Sequence, residues 1–330
     1  MRALLCQQFG SPETLTIGEI EAPTPAPGEV AIAVHACGVN FPDVLIIQNQ
    51  YQVKPHLPFA PGGEAAGIVC ALGEEADGKF GVGDRVMALT GYGGMAEQVC
   101  APSAAVHPVP PEMGLSTAAV LTFSYGTSLY ALRDRAHLRS DETLLVLGAA
   151  GGVGLAAVEL GHILGARVIA SASSSEKLEL CRAHGADELI NYSSEDLRTA
   201  LKDLTGGHGA NVIFDPVGGP LTDSAVRSMA WEGRYLVVGF AAGEIPRIPL
   251  NLPLLKGFDL VGVYWGSFVS RDPERQRHNM DDLTRWCAQG RLRPHVSGTF
   301  PLERAGEAIR QLADRKAEGK LVVLIGSGAT

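Results

Sequence analysis

The chain reads Val146-Leu147-Gly148-Ala149-Ala150-Gly151-Gly152-Val153-Gly154 at the point that decides its fold. An apolar strand pattern breaks there into glycines and resumes at helical spacing over residues 155–160. Glycine suits a sharp turn that passes close to a ligand, because it has no Cβ, and the first N–H groups of a helix favour a pyrophosphate. The stretch therefore predicts a strand, a tight turn and a helix N-terminus that bind a dinucleotide. A tight connection without a ligand is the alternative.

Further short apolar runs follow this turn, with helical stretches between them. They occupy residues 168–170, 212–215 and 236–239. Strands that alternate with helices indicate a parallel sheet covered on both faces. We therefore predict an α/β fold in which a doubly wound parallel sheet occupies residues 123–267.

The chain before residue 123 has a different pattern. Its short strand candidates are separated by Pro or Gly clusters, which is typical of a compact β-rich domain. After residue 267 a helical pattern is followed by two more strand patterns, at 296–300 and 321–324. We predict that this tail returns to the first domain, so that residues 1–122 and 268–330 form one discontinuous β-rich domain.

Composition restricts the classes of partner. The 330 residues carry a net charge of -9, which argues against nucleic-acid binding because that binding depends on Lys and Arg at phosphates. No apolar stretch approaches the roughly 18 residues that a membrane span needs, and the first residues form a strand pattern rather than a signal peptide. We expect a cytoplasmic protein. The six cysteines include no CxxC pair, so neither a disulfide framework nor a thiolate metal site is indicated.

Several motifs in a fixed order are more specific than any one of them. In chain order they are Gly38-Val39-Asn40-Phe41-Pro42-Asp43, Pro61-Gly62-Gly63-Glu64-Ala65-Ala66-Gly67, Gly83-Asp84-Arg85-Val86, the glycine run, Gly185-Ala186-Asp187, Asp215-Pro216-Val217-Gly218-Gly219 and Gly319-Lys320-Leu321-Val322. Over essentially its whole length the chain resembles the medium-chain dehydrogenase/reductase superfamily and, within it, the zinc-independent NADPH:quinone oxidoreductase family. The resemblance implies a GroES-like β-rich catalytic domain, a Rossmann domain and an active site in the cleft between them.

Zinc-dependent relatives hold a catalytic zinc with a Cys three residues before an Asp and with the His of a Gly-His-Glu motif. This chain has Asn40 before Asp43 and Gly63 before Glu64. An amide and a glycine cannot replace a thiolate and an imidazole as zinc ligands, and Cys37 lies three residues too early. We therefore predict that the protein contains no metal.

The residues after the second strand of the predicted parallel sheet indicate which nicotinamide cofactor binds. NAD-specific folds place an acid about 20 residues beyond the glycines, whereas residues 171–177 read Ser-Ala-Ser-Ser-Ser-Glu-Lys. Hydroxyl groups and Lys177 suit a 2′-phosphate, and in the resembling family the matching Lys and Tyr192 bind it. A helix cap at Ser175 with a solvated Lys177 is the alternative. We predict a strong preference for NADPH.

The glycine run and the positions that the resemblance adds make up the predicted cofactor site. Its residues are Asn40, Thr127, Gly148, Ala150, Gly151, Gly152, Val153, Gly154, Ser173, Lys177, Tyr192, Val217, Gly239, Phe240, Val263, Tyr264 and Trp265.

The predicted catalytic residues are Asn40, Asp43 and Tyr51. The Asn40 amide can orient the reactants, and Asp43 or Tyr51 can hydrogen-bond a substrate carbonyl or relay a proton. Each has a structural alternative, because Asp43 can simply anchor the turn at Asn40 and Tyr51 can simply cover the cleft. Without a metal to stabilise an alkoxide, activated acceptors are better substrates than simple alcohols.

We therefore predict an NADPH-dependent, metal-free oxidoreductase that transfers hydride to a small-molecule electron acceptor, namely a quinone or a similar electron-poor carbonyl compound. An enoyl-type reductase of C=C bonds in enones or acyl thioesters is one alternative. A protein of another class, an NADPH-binding sensor or scaffold without turnover, is a second. Relatives commonly pair through the edge strand of the nucleotide sheet, here near residues 259–265, so we expect a homodimer.

Overall fold

The computed structural model describes residues 1–76 and 78–326 of the chain. Its strands, in chain order, are β1 (Arg2–Leu5), β2 (Thr16–Glu19), β3 (Glu29–Val39), β4 (Glu64–Leu72), β5 (Arg85–Leu89), β6 (Gln98–Pro102), β7 (Val106–Pro108), β8 (Thr143–Leu147), β9 (Arg167–Ala172), β10 (Glu188–Asn191), β11 (Ala210–Asp215), β12 (Met229–Val237), β13 (Asp259–Gly262), β14 (Val296–Pro301) and β15 (Lys320–Leu324).

The α-helices, in chain order, are α1 (Phe41–Ile46), α2 (Leu115–Ala118), α3 (Gly126–Leu129), α4 (Gly152–Ile163), α5 (Ser175–Ala183), α6 (Leu197–Leu204), α7 (Leu221–Arg227), α8 (Asn251–Lys256), α9 (Trp265–Arg271), α10 (Pro273–Ala288) and α11 (Ala305–Ala313). Two π-helical segments flank α3, at Leu121–Tyr125 and Tyr130–Arg135. Short 3₁₀ turns occupy Pro12–Thr14, Ser103–Ala105 and Leu302–Arg304.

The chain forms two compact units. The first unit consists of Met1–Phe123, Arg271–Gly290 and Pro294–Thr330, of which residues 77 and 327–330 lie outside the described part of the chain. The second unit consists of Ser124–Ser270 and Arg291–Arg293. The domain boundaries that we read from the sequence stay a prediction.

The first unit is built on a sheet whose strand order is β14-β15-β3-β4-β5-β7, with β6 also paired to β3. Strand β3 is long and mostly buried, and its apolar side chains belong to the hydrophobic core of this unit. The C-terminal strand β15 runs antiparallel to β3 and pairs Leu321 with Val39. This pairing brings the end of the described chain beside the turn that follows β3.

The second unit is built on a parallel sheet whose strand order is β10-β9-β8-β11-β12-β13. Strand β8 is buried from Leu144 to Leu147, which agrees with its continuous apolar sequence. The order of connections reverses between β8 and β11, and doubly wound sheets bind ligands at the carboxyl ends of the strands at such a point. The predicted fold class, α/β with a β-rich domain and a doubly wound parallel sheet, is confirmed.

One strand ends earlier than the sequence suggested. The sequence predicts the edge strand of the nucleotide sheet near residues 259–265, but β13 ends at Gly262 and Trp265 begins α9. The buried Trp265 ring packs over Gly126, where an added Cβ would lie 2.8 Å from the ring. Its bulk is therefore part of the core of the second unit.

Within the described residues no helix is long and apolar enough to cross a bilayer. All six cysteines fall within those residues and none forms a disulfide.

Candidate functional site

The predicted site residues are divided between the two units. Asn40, Asp43 and Tyr51 belong to the first unit, and the remaining candidates belong to the second. Each set is described within its own unit.

The glycine-rich turn joins β8 to α4 in the second unit. Gly148 has a φ of +57°, and a Cβ there would lie 2.7 Å from Val217 Cγ2. A Cβ on Gly154 would lie 2.2 Å from the Gly148 carbonyl oxygen. Both positions therefore require glycine. The helix begins after Gly151, which has no side chain to cap the first N–H groups of α4, so these groups can receive a phosphate.

The candidates for binding the adenosine half of a dinucleotide, Ser173, Lys177 and Tyr192, lie near the carboxyl end of β9. Helix α5 is capped by Ser174, whose hydroxyl accepts a hydrogen bond from the Lys177 backbone N–H at 3.3 Å, so the alternative that Ser175 is the cap is wrong. Ser174 is one residue closer to β9 and has the extended backbone that a cap needs. The Tyr192 N–H donates to the Ala172 carbonyl at 3.2 Å. Tyr192 therefore lies at the end of β9, next to Ser173.

The loops after β11 and β12 are joined to each other beside the glycine turn. The Gly239 N–H donates to the Asp215 carbonyl at 3.3 Å, and the Ala242 N–H donates to the Val217 carbonyl at 2.8 Å. The structure thus brings the candidates Val217, Gly239 and Phe240 to the carboxyl ends of the central strands, where Gly148 also lies.

The remaining candidates of the second unit differ in exposure. Thr127 is buried in α3, and Val263 is buried with its N–H donating to the Val237 carbonyl at 3.0 Å. Tyr264 is exposed, whereas Trp265 is buried. Trp265 therefore shapes the neighbourhood of Thr127 through its contact with Gly126.

In the first unit Asp43 holds the turn that begins α1. One carboxylate oxygen accepts from the Asn40 N–H at 2.8 Å, and the other accepts from the Gly62 N–H at 2.9 Å. Burial raises the pKa of Asp43 to about 6, and the two N–H donors oppose that rise. The geometry favours Asp43 as the anchor of the turn. Tyr51 is half-buried and packs against the hydrophobic core of this unit.

A buried lysine, which the sequence interpretation did not select, occupies the centre of this region. Lys320 Nζ donates to Asn40 Oδ1 at 2.6 Å, to Glu64 Oε1 at 2.9 Å and to the Val39 carbonyl at 3.1 Å. The Asn40 amide nitrogen donates to Glu64 Oε1 at 2.9 Å, and the other Glu64 oxygen accepts from the Phe123 N–H at 2.7 Å. The Asn40 amide is thus held at both ends. Glu64 and Lys320 stand in two of the motifs that we quoted, but nothing local in the sequence shows that they meet.

These side chains do not fit a zinc ion. The Lys320 ammonium group already lies against Asn40 and Glu64, so a second cation there would be repelled. Burial and the negative charges of Asp43 and Glu64 raise the pKa of the Cys37 thiol well above its usual value, which disfavours the thiolate that zinc requires. In the described part of the chain no three His, Cys, Asp or Glu side chains form a metal-binding group. That the protein contains no metal stays a prediction.

Comparison with known proteins identifies the family. Residues 26–111 match the model of the alcohol dehydrogenase GroES-like domain, and residues 152–286 match that of the zinc-binding dehydrogenase. The mouse (Mus musculus) protein named quinone oxidoreductase-like protein 2 is 41% identical over 324 residues, which cover 98% of this chain and 91% of the mouse protein. The chain therefore belongs to the medium-chain dehydrogenase/reductase family.

Two solved structures are similar over nearly the whole chain. A mycobacterial protein solved as a complex with NADPH has a TM-score of 0.92 and 30% identity, with coverage of 98% of this chain and 99% of that one. The Escherichia coli quinone oxidoreductase complexed with NADPH has a TM-score of 0.90 and 27% identity, with coverage of 98% and 100%. The chain therefore shares with these two structures a fold that combines a GroES-like sheet and a Rossmann-like sheet.

Proposed function

We propose that this protein is an NADPH-dependent oxidoreductase that transfers hydride to quinones or similar electron-poor carbonyl compounds without a metal ion. The observation that carries the proposal is the glycine-rich turn between β8 and α4, at the switch point of the parallel sheet. Relatives along the whole chain are named quinone oxidoreductases or quinone oxidoreductase-like proteins, and similar structures were solved with NADPH.

In this proposal the second unit holds the cofactor. The first turn of α4 receives the pyrophosphate, since its N–H groups are not capped by a side chain. Ser173, Lys177 and Tyr192 surround the 2′-phosphate at the end of β9. NADPH, when bound, supplies the hydride. The loops after β11 and β12, with α3 and the start of α9, hold the nicotinamide half.

The first unit contributes a polar group, the Asn40 amide, that several hydrogen bonds hold in place. The amide of Asn40 is oriented by Lys320 and Glu64, and the backbone of Asn40 is held by Asp43. A group that is fixed before the reactants arrive orients them without further ordering. The residues at the zinc positions of relatives do not form a zinc site, so acceptors that already carry an electron-withdrawing group fit this chain best.

An acceptor screen with the purified protein tests the proposal. We expect tight binding of NADPH by calorimetry, and faster NADPH oxidation with a naphthoquinone than with a short 2-enoyl thioester or a simple ketone. Dialysis against a chelator should leave the rate unchanged. Faster turnover of the enoyl thioester would instead indicate an enoyl reductase. Bound NADPH that no acceptor oxidises would indicate a sensor, and stoichiometric zinc in the fresh protein would contradict the metal-free assignment.

We also propose that two copies of the chain pair through β13. This strand is hydrogen-bonded to β12 on one side, and on its other side no described strand pairs with it. Leu260 on β13 is 40% exposed. An exposed apolar edge strand favours association with a second identical strand.

A further inference from the structure

The carboxylate of Asp215 collects four hydrogen bonds at the carboxyl end of β11. One oxygen accepts from the N–H groups of Val217 and Gly218, both at 2.8 Å. The other oxygen accepts from the Thr222 hydroxyl at 3.2 Å and from the Tyr235 hydroxyl. Asp215 and Tyr235 are both buried. A buried carboxylate is stable only when such donors compensate for its lost hydration.

These bonds fix the loop of residues 216–219 at the switch point of the sheet. The Val217 side chain lies against Gly148, where a Cβ would come within 2.7 Å of it. The Val217 carbonyl in turn accepts from Ala242 in the loop after β12. The carboxylate of Asp215 therefore sets the position of a loop that contacts the glycine-rich turn on one side and the neighbouring loop on the other.

The Tyr235 hydroxyl holds this carboxylate from the neighbouring strand. Tyr235 stands on β12, opposite Ile213 of β11 in the register of the two strands. Burial and the charge of Asp215 raise the pKa of Tyr235 far above its usual value, so the hydroxyl keeps its proton and remains a donor. A phenylalanine would fill nearly the same volume of the core. The role of the hydroxyl is therefore its hydrogen bond to Asp215.

We propose that Tyr235 is a positioning residue of the cofactor site, which acts through Asp215 to hold the Val217 loop against the glycine-rich turn. This inference rests on the proposed binding of NADPH. Ligands of doubly wound sheets bind between the loops on either side of the switch point. Loss of the Tyr235 hydrogen bond should therefore weaken cofactor binding by the Val217 loop, while the rest of the sheet stays intact.

Tyr235→Phe tests the inference by two measurements. Without nucleotide, hydrogen exchange should become at least about tenfold faster at the Val217 and Gly218 amides and stay unchanged in β8. With nucleotide, the Kd and the KM for NADPH should rise about five- to tenfold, while kcat at saturating NADPH stays within about twofold. Thr205→Val is the control, because that buried hydroxyl bonds the Leu201 carbonyl at the end of α6, away from the switch point, and it should change neither measurement.

A second variant and a double-mutant cycle keep the test decisive if Tyr235→Phe folds poorly. Thr222→Val removes the other hydroxyl from the same oxygen and should weaken NADPH binding in the same direction. In an Asp215→Ala background, Tyr235→Phe should add little, because no carboxylate remains for the hydroxyl to hold. Unchanged exchange and an unchanged Kd in a folded Tyr235→Phe variant would overturn the inference.

The two proposals fail in different ways. A wild-type protein that binds no NADPH would refute the proposed function, and with it the role of Tyr235 in cofactor binding, even if exchange at the loop amides accelerates. A wild-type protein that binds NADPH, with a Tyr235→Phe variant that binds it equally well, would refute only the positioning role.

Discussion

The ammonium group of Lys320 lies against Asn40, the residue that stands where zinc-dependent relatives have a zinc ligand. Its three hydrogen bonds end on Asn40, Glu64 and the carbonyl of Val39, and all three side chains are buried. An ammonium group that already donates to three acceptors has no N–H group left to donate to a substrate. Its effect is therefore to hold the Asn40 amide in place.

Lys320→Met leaves Glu64 buried without its cation, so the free energy of unfolding should fall by about 3–5 kcal/mol. Urea denaturation measures this change. Combining it with Glu64→Gln should cost less than the sum of the two single changes, because the second removes the charge that the first leaves unpaired. Lys316→Met, at an exposed lysine, is the control and should change stability by less than about 0.5 kcal/mol. A loss that small for Lys320→Met would contradict the view of Lys320 as the central ion-pair partner.

Lys177→Ala tests the predicted 2′-phosphate site. Lys177 is in the first turn of α5, next to the capping Ser174. Removing its charge should lower the ratio of kcat/KM for NADPH over NADH by about tenfold or more, since only NADPH carries the 2′-phosphate. Lys202→Ala, at an exposed lysine of α6, should leave the ratio unchanged. The same ratio in Lys177→Ala and in the wild type would exclude this role.

At the scale of elements, the two ends of the parallel sheet differ in their chemistry. The central strands β8 and β11 are buried, whereas β13 has exposed positions and hydrogen-bonds to β12 alone among the described strands. The carboxyl ends of the central strands bear the turns that we assign to the cofactor. In our proposals the cofactor and the second copy of the chain therefore occupy separate parts of one sheet.

Leu260→Lys should therefore convert the proposed homodimer into a monomer. A charged side chain at an exposed edge position opposes pairing with a second strand. Light scattering coupled to size-exclusion chromatography gives the mass directly. Val82→Lys, at an exposed position of the first unit, should leave the mass unchanged. A wild-type monomer, or a dimer that survives Leu260→Lys, would exclude pairing through β13.

At the scale of the whole molecule, two buried groups make stability depend on pH in opposite directions. Burial and the charge of Arg277 lower the pKa of His107 to about 4. The pKa of Asp43 is raised to about 6. His107 thus contributes stability above its unfolded pKa of about 6.5, and this contribution is lost as the pH falls towards 4. Asp43 contributes stability below its unfolded pKa of about 4, which is lost as the pH rises through about 6.

His107→Gln isolates the first effect, because Asp43 is common to both proteins. Between pH 7.5 and 4.5 the wild type should lose more free energy of unfolding than the variant, by up to about 3 kcal/mol. Chemical denaturation at the two pH values measures the difference. His56→Gln, at an exposed histidine, should follow the wild type. If His107→Gln follows the wild type as well, His107 does not titrate in this window.

The sequence alone determined the alternation of strands and helices and the position of the glycine-rich turn. Such features depend on residues close together in the chain: a glycine with a positive φ, or a short apolar run that is bounded by turn residues. The order of motifs also sufficed to predict the family, which the comparisons confirm.

Only the tertiary structure decided which distant side chains share one environment. Lys320 and Asn40 are separated by 280 positions, and Tyr235 reaches Asp215 only because β12 lies beside β11. The burial of Trp265 likewise depends on packing against Gly126, which is distant in the sequence. Local preferences determine the backbone conformation of a segment. A buried charge, in contrast, is stabilised by the side chains and backbone groups that strand pairing places next to it. Strand pairing depends on the complete fold.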